Sequence, residues 1–175
     1  PYQTRERPAT SDLHVVGSLD FALAALHHTA VFALFTVLTV EIVYAKPGMS
    51  RETLRRLGMI DMLYGFSALV VLGAGFARAV WGIKGWDYYA GNPLFWTKVG
   101  LFAGIGLLSL IPTVNFLRWN ARAKADPAYL PPDGEVRANR KWMHMETTLL
   151  ILMPIVVSNR KWMHMETTLL ILMPI

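Results

Sequence analysis

The sequence predicts an all-α fold, an integral membrane bundle of four transmembrane helices, and three observations predict it. The chain is 54% hydrophobic and only 17% charged, with a mean hydropathy of +0.36, a balance outside the range of ordinary soluble domains. Its apolar residues are gathered into long runs, and Phe21 to Tyr44 carries one acid, Glu41, and two histidines, His27 and His28. About 20 helical residues at ~1.5 Å each cross the ~30 Å hydrocarbon layer, so such a run is long enough to span it. Between the runs lie short segments rich in Pro, Gly and basic residues, as expected of loops at a membrane surface.

Residues 1–20 are polar, with Arg5, Glu6, Arg7 and Pro8, and show no small-residue cleavage site. They read as a surface tail and not as a signal peptide. The first span is expected at about 21–44. Pro47 and Gly48 then stop the helix, and Ser50 offers an N-cap for the next. The second span is expected at about 57–81, with Asp61 near one end and Arg78 near the other. The segment from Gly82 to Asn92 is aromatic and glycine-punctuated, which suits a loop in a headgroup region. Asn92-Pro93 reads as an N-cap followed by proline at the first helical position.

The third span, about 94–119, holds Lys98 and the pair Gly100 and Gly104, a spacing that lets another helix approach closely. Pro112 is expected to kink this helix without ending it, because apolar residues continue to Leu117. A proline-rich polar loop follows, and the fourth span is expected at about 141–158. The segment Asn139 to Ile155 then recurs without a change from Asn159 to Ile175. Evolved structural repeats diverge, so residues 159–175 read as an artefact of the sequence or a continuation of the last helix.

Loop charge predicts orientation. The first loop carries Lys46, Arg51, Arg55 and Arg56 and the third carries Arg118, Arg122, Lys124, Arg137, Arg140 and Lys141, whereas the second offers mainly Arg78 and Lys84. By the positive-inside rule loops one and three are cytoplasmic and both termini face outward, N-out and C-out. The formal charge of +5 is thereby assigned to topology and anionic lipid, not to nucleic acid. With no cysteine in the chain, disulfides, thiolate metal sites and thiol catalysis are excluded. GxSxG, P-loop and HExxH patterns are absent as well.

Ionisable residues inside a membrane are costly and mark pairing or function. On this topology His27, His28, Arg78 and Lys98 form an outer cluster, while Glu41, Asp61, His144 and Glu146 lie toward the cytoplasmic ends. The carboxylates there read as solvated helix-end groups or partners for Arg55 and Arg56, not as a proton path. His144 and Glu146 are two apart on a helix and point to nearly opposite faces, which is no metal motif. Helical phase separates the histidines: His27 shares a face with Val31, Leu34, Leu38 and Glu41 and looks inward, whereas His28 shares one with Phe32 and Phe35. On the third helix Lys98, Phe102, Ile105 and Ser109 fall on one face, so a His27 and Lys98 pair across the bundle is sterically reasonable.

Leu26-His27-His28, Asp61-Met62-Leu63-Tyr64-Gly65, Arg78, Tyr88-Tyr89, Asn92-Pro93-Leu94-Phe95-Trp96-Thr97-Lys98 and Pro112-Thr113 resemble the domain-of-unknown-function 2214 family of the bacterial inner membrane. The resemblance covers roughly residues 20–155. More distantly, Leu26-His27 and Phe95-Trp96-Thr97-Lys98-Val99 are similar to HemJ-type and CopD-like membrane proteins. The HemJ-type resemblance implies a b-type haem, with His27 and Lys98 at its iron. Arg78, with Lys84 as a second cation, would then hold the propionates, and His28 and His144 are the alternative ligands. Two functions are carried forward: a haem-binding redox protein, and an accessory subunit packed against a larger membrane complex. A transporter fits less well, since the polar groups gather near helix ends and not at broken helices near the midplane.

Overall fold

Sequence free of strong helix breakers propagates as helix, and the computed structural model is all-helical wherever it describes the chain, over residues 10–172 for the backbone and 14–155 for the side chains. The first helix, α1, runs Thr10–Tyr44. The expected boundary at Phe21 is therefore corrected: half of the presumed tail is helical. Between Thr10 and Asp20 only Gly17 disfavours helix, at a cost of about 1 kcal/mol, too little to stop it.

Helix α2 (Arg51–Trp81) starts where Ser50 accepts a hydrogen bond from the Thr53 amide at 3.2 Å, the cap expected from sequence. The aromatic connection that follows contains a short helix, α3 (Gly85–Ala90), which the chain enters through Gly85 at φ +71°. Helix α4 (Pro93–Ala125) is capped by Asn92, whose side chain accepts from the Leu94 amide at 2.9 Å, and it passes through Pro112 unbroken.

Helix α5 (Asp133–Leu172) begins eight residues before the expected fourth span. Pro131 and Pro132 block helix before it, and Asp133 and Glu135 in its first turn suit the positive end of the helix dipole. The second copy of the repeat lies almost wholly within the backbone of α5, and its side chains fall outside the described residues.

Helices α1, α2 and α4 are each long and apolar enough to cross a membrane. Helix α5 has the length, but Ser158-Asn159-Arg160-Lys161 interrupts its apolar run. The four long helices pack as a ring in the order α1, α2, α4, α5, with α1 laid mainly along α2 and α4 along α5. That order puts α1 opposite α4 and α2 opposite α5.

Two apolar cores fill the ring. One joins Leu54, Leu57, Phe116, Trp119, Val136 and Met143 at the end bearing the α1–α2 and α4–α5 connections, called here the loop end. The other joins Ala30, Leu34, Leu38, Val71, Ile105 and Leu150 farther along. Large apolar side chains such as Phe32, Met62, Phe66 and Leu107 point outward and stay exposed, which suits contact with lipid.

The pair Gly100 and Gly104 seats no helix of this chain. Both are exposed, with open space where a Cβ would stand. The inward stripe of α4 is Ile105, Pro112, Phe116, Trp119 and Ala123, and helical phase turns the two glycines away from it.

Candidate functional site

Polar side chains collect at two depths. Toward the end that carries α3, the inward phase of α1 brings His27 against α2, half-buried, where its Nδ1 lies 3.0 Å from the carbonyl oxygen of Val71. A carbonyl only accepts, so Nδ1 carries the proton and a neutral ring leaves its lone pair on Nε2. Gly75, one turn beyond Val71, makes room for the ring: a Cβ there would sit 3.3 Å from Cε1.

His28 points outward and is exposed, donating from Nδ1 to the Ala24 carbonyl of its own helix at 2.6 Å. The two rings stand edge to face with centroids 5.8 Å apart. Arg78 is held by Asp20, Nε to Oδ1 at 3.2 Å. Sequence reasoning missed this partner because it placed Asp20 in a tail. Lys98 is exposed on α4, which does not pack against α1, yet its charge and that of Arg78 lie within electrostatic range of His27. Lys84 reaches Tyr88 instead, its Nζ 4.5 Å from the ring centroid.

The second group corrects a sequence expectation. Glu41, Asp61 and Glu146 are not solvated helix-end carboxylates; they are 2%, 7% and 1% exposed. Nor do they partner Arg55 or Arg56, since Arg56 binds Glu52 at 2.5 Å on the surface. The reason is phase. Glu41 follows Leu34 and Leu38 on the inward face of α1, Asp61 and Tyr64 follow Leu54 and Leu57 on that of α2, and Glu146 follows Asn139 and Met143 on that of α5.

The phenol of Tyr64 donates to Glu146 Oε1, and the hydroxyl of Thr113 donates to Asp61 Oδ1 at 2.7 Å. The three carboxylates are close enough to feel one another's charge. Among the described residues no three His, Cys, Asp or Glu side chains have metal-ligating spacing. His144, two residues from Glu146, is exposed on the other face of α5, as its spacing predicts.

Between this group and the loop end runs a polar thread. Asn115 donates to Asn139 Oδ1 at 2.8 Å, and Trp119 Nε1 donates to Glu135 at 2.9 Å. Asn139 is 1% exposed and its Nδ2 has no partner. The loop end itself is tied by cations on helix C-termini: Arg140 donates to the carbonyls of Ile42 and Ala45 at 2.6 and 2.8 Å, and Arg51 donates to Ala123 at 2.6 Å. A cavity of about 360 Å³ opens there, lined by Arg51, Arg55, Lys124 and Asn120, away from both polar groups.

No curated protein and no solved structure is significantly similar to this chain. A family model for predicted membrane proteins, DUF2214, matches residues 19–159 and thus takes in all of α2, α3 and α4, both polar groups, and the sequence up to the start of the second repeat copy. With three apolar helices long enough to span a bilayer and that match over most of its length, the chain belongs to the DUF2214 family of predicted membrane proteins.

Proposed function

We propose that the protein is a four-pass component of the bacterial inner membrane, N-out and C-out, and that its outer half binds a b-type haem through His27. One observation carries the cofactor reading. His27 sits on the inward face of α1 with Nδ1–H committed to the Val71 carbonyl, which leaves Nε2 as a free, oriented donor of an electron pair. A backbone carbonyl on the far ring nitrogen is a common means of fixing a ligating imidazole.

The residues present fit the group at that position. Gly75 keeps the ring's flank clear, Asp20 holds Arg78 where a cation can meet a carboxylate at the rim, and Lys98, exposed on α4 and within electrostatic range of His27, would have to turn its side chain inward to serve as the second ligand. Bound haem supplies one-electron redox chemistry; the protein supplies the apolar surroundings and the ligand. His28, turned outward, takes no part in this arrangement.

A reduced-minus-oxidised optical spectrum of protein purified from haem-replete cells tests the reading. A Soret band that shifts or vanishes in His27→Ala and persists in His28→Ala is the expected result. Absence of the band overturns the reading, and a band unaltered by His27→Ala overturns the ligand. Topology is tested by single cysteines in this cysteine-free chain: positions 46 and 126 are expected to react from the cytoplasmic side and position 84 from outside.

The accessory-subunit reading has one observation in its favour. Gly100 and Gly104 present open, small-residue backbone on the outside of the ring, where a helix of another protein can approach closely. Cross-linking from a cysteine at Leu101, in native membranes, is expected to trap a partner if this reading holds.

A further inference from the structure

Glu41, Asp61 and Glu146 are buried on the inward faces of α1, α2 and α5 at one level of the ring, where Tyr64, one turn from Asp61, reaches Glu146 and Arg140 of α5 reaches Ile42, next to Glu41; none of the three is in an ion pair, since among the described residues the ion pairs are Arg56 with Glu52 and Arg78 with Asp20, both elsewhere. Arg140, the partly buried cation on α5, spends its guanidinium on the carbonyls of Ile42 and Ala45, while Lys141 and His144 are exposed. The titratable groups facing the space are Glu41 from α1, Asp61 and Tyr64 from α2 and Glu146 from α5, and α4 contributes the neutral Thr113. Three uncompensated charges in a low-dielectric interior would cost several kcal/mol each. Some cation must share the space. Among the described residues no three His, Cys, Asp or Glu side chains are spaced for a metal ion, and the hydroxyls of Tyr64 and Thr113 face the carboxyls as hydrogen donors and not as lone-pair ligands, which favours the smallest cation, the proton.

A second observation points to a route. Asn139 lies two turns from Glu146 on the same inward face of α5, about 10 Å away along the helix, and its Nδ2–H is buried without a partner. A buried donor of that kind costs about 1–3 kcal/mol unless water accepts from it. On the loop side, Asn115, Asn139 and the Trp119–Glu135 pair thread polar atoms through the apolar core. On the other side lies the core of Leu34, Leu38, Val71, Ile105 and Leu150, where the buried hydroxyl of Ser67 is spent on the Leu63 carbonyl of its own helix.

We propose that Glu41, Asp61, Tyr64 and Glu146 form a proton-binding site inside the membrane, loaded from the loop end through water held at Asn139. Tyr64 donates to Glu146 and Thr113 to Asp61, so both carboxyls keep a donor while the proton is shared among the three. The site is separate from His27 and stands whether or not a haem is bound.

Infrared difference spectroscopy of the full chain in liposomes tests it. At neutral pH a protonated-carboxyl C=O band is expected, shifting in D2O, weakened by Glu146→Gln or Glu41→Gln and unchanged when sodium replaces choline in the buffer. Asn139→Leu is expected to keep the band and slow its hydrogen–deuterium exchange at least tenfold. Absence of the band in the wild-type protein, or its loss on adding sodium, overturns the proton site. A band unaltered by Glu146→Gln, Glu41→Gln and Asp61→Asn, each with wild-type helix content by circular dichroism, overturns it as well. Exchange at the wild-type rate in Asn139→Leu overturns the access route alone.

Discussion

The phenol of Tyr64 on α2 donates to the carboxylate of Glu146 on α5, joining two helices that sit opposite one another and whose backbones do not approach closely. Both side chains are buried, so the bond crosses the interior where no water substitutes for either partner. Tyr64→Phe removes the donor and leaves a buried acceptor, at an expected cost of about 1–3 kcal/mol. Unfolding in mixed detergent micelles measures it, with Glu146→Leu as the second arm of a double-mutant cycle. Equal cost of Tyr64→Phe in both backgrounds would show that the bond contributes nothing.

Arg140 offers a second prediction, because it ends α1 from another helix. Its guanidinium donates to the carbonyls of Ile42 and Ala45, groups that the last turn of α1 cannot satisfy internally. Arg140→Met keeps much of the stem and loses the donors, so a destabilisation of about 1–3 kcal/mol is expected in the same unfolding assay. Arg137, one turn earlier and exposed, is the control; Arg137→Met is expected to stay within about 0.5 kcal/mol of wild type. Equal effects would mean that bulk charge at this end, not the cap, is what matters.

Periodicity made much of this legible in the sequence. The inward face of α1 at Leu34, Leu38 and Glu41 followed from 100° steps, as did the outward turn of His28 and the separation of His144 from Glu146. The caps at Ser50 and Asn92 followed from residue type. Depth was the weak variable. Glu41, Asp61 and Glu146 lie near the ends of their apolar runs, and hydropathy counts a residue near a run's end as solvated. Helices α2 and α5 in fact begin before their runs, at Arg51 and Asp133, and α4 continues past its own to Ala125, so these neighbours also cover Glu41, three residues short of the end of α1 at Tyr44. The ends of the runs are therefore well inside the packed structure. Contacts between distant segments, Arg78 with Asp20 and Arg140 with α1, leave no periodic trace, and the direction of the Gly100 and Gly104 face depended on a neighbour that the sequence does not name.

The third prediction rests on where α1 and α2 meet beside α3. Gly82, the residue that ends α2, is buried, and a Cβ there would run into both the carbonyl oxygen of Arg78 and the carboxylate of Asp20. Its φ of −75° is open to any residue, so the demand for glycine comes from this close approach and not from backbone conformation. Gly82→Ala must therefore displace the end of α2 or push Asp20 off Arg78, whose ion pair is only partly shielded from solvent. The chain end is the costlier of the two to move, since the Gly82 amide also donates to the Arg78 carbonyl at 2.9 Å. Gly65 lies mid-helix on the same α2, exposed and with nothing near its missing side chain. There alanine is expected to be neutral or to stabilise by up to about 1 kcal/mol through helix propensity. The two variants are expected to move the unfolding midpoint in opposite directions, down for Gly82→Ala and level or up for Gly65→Ala. Should Gly82→Ala melt with the wild type, α1 and α2 do not approach as closely beside α3 as Asp20 and Gly82 require.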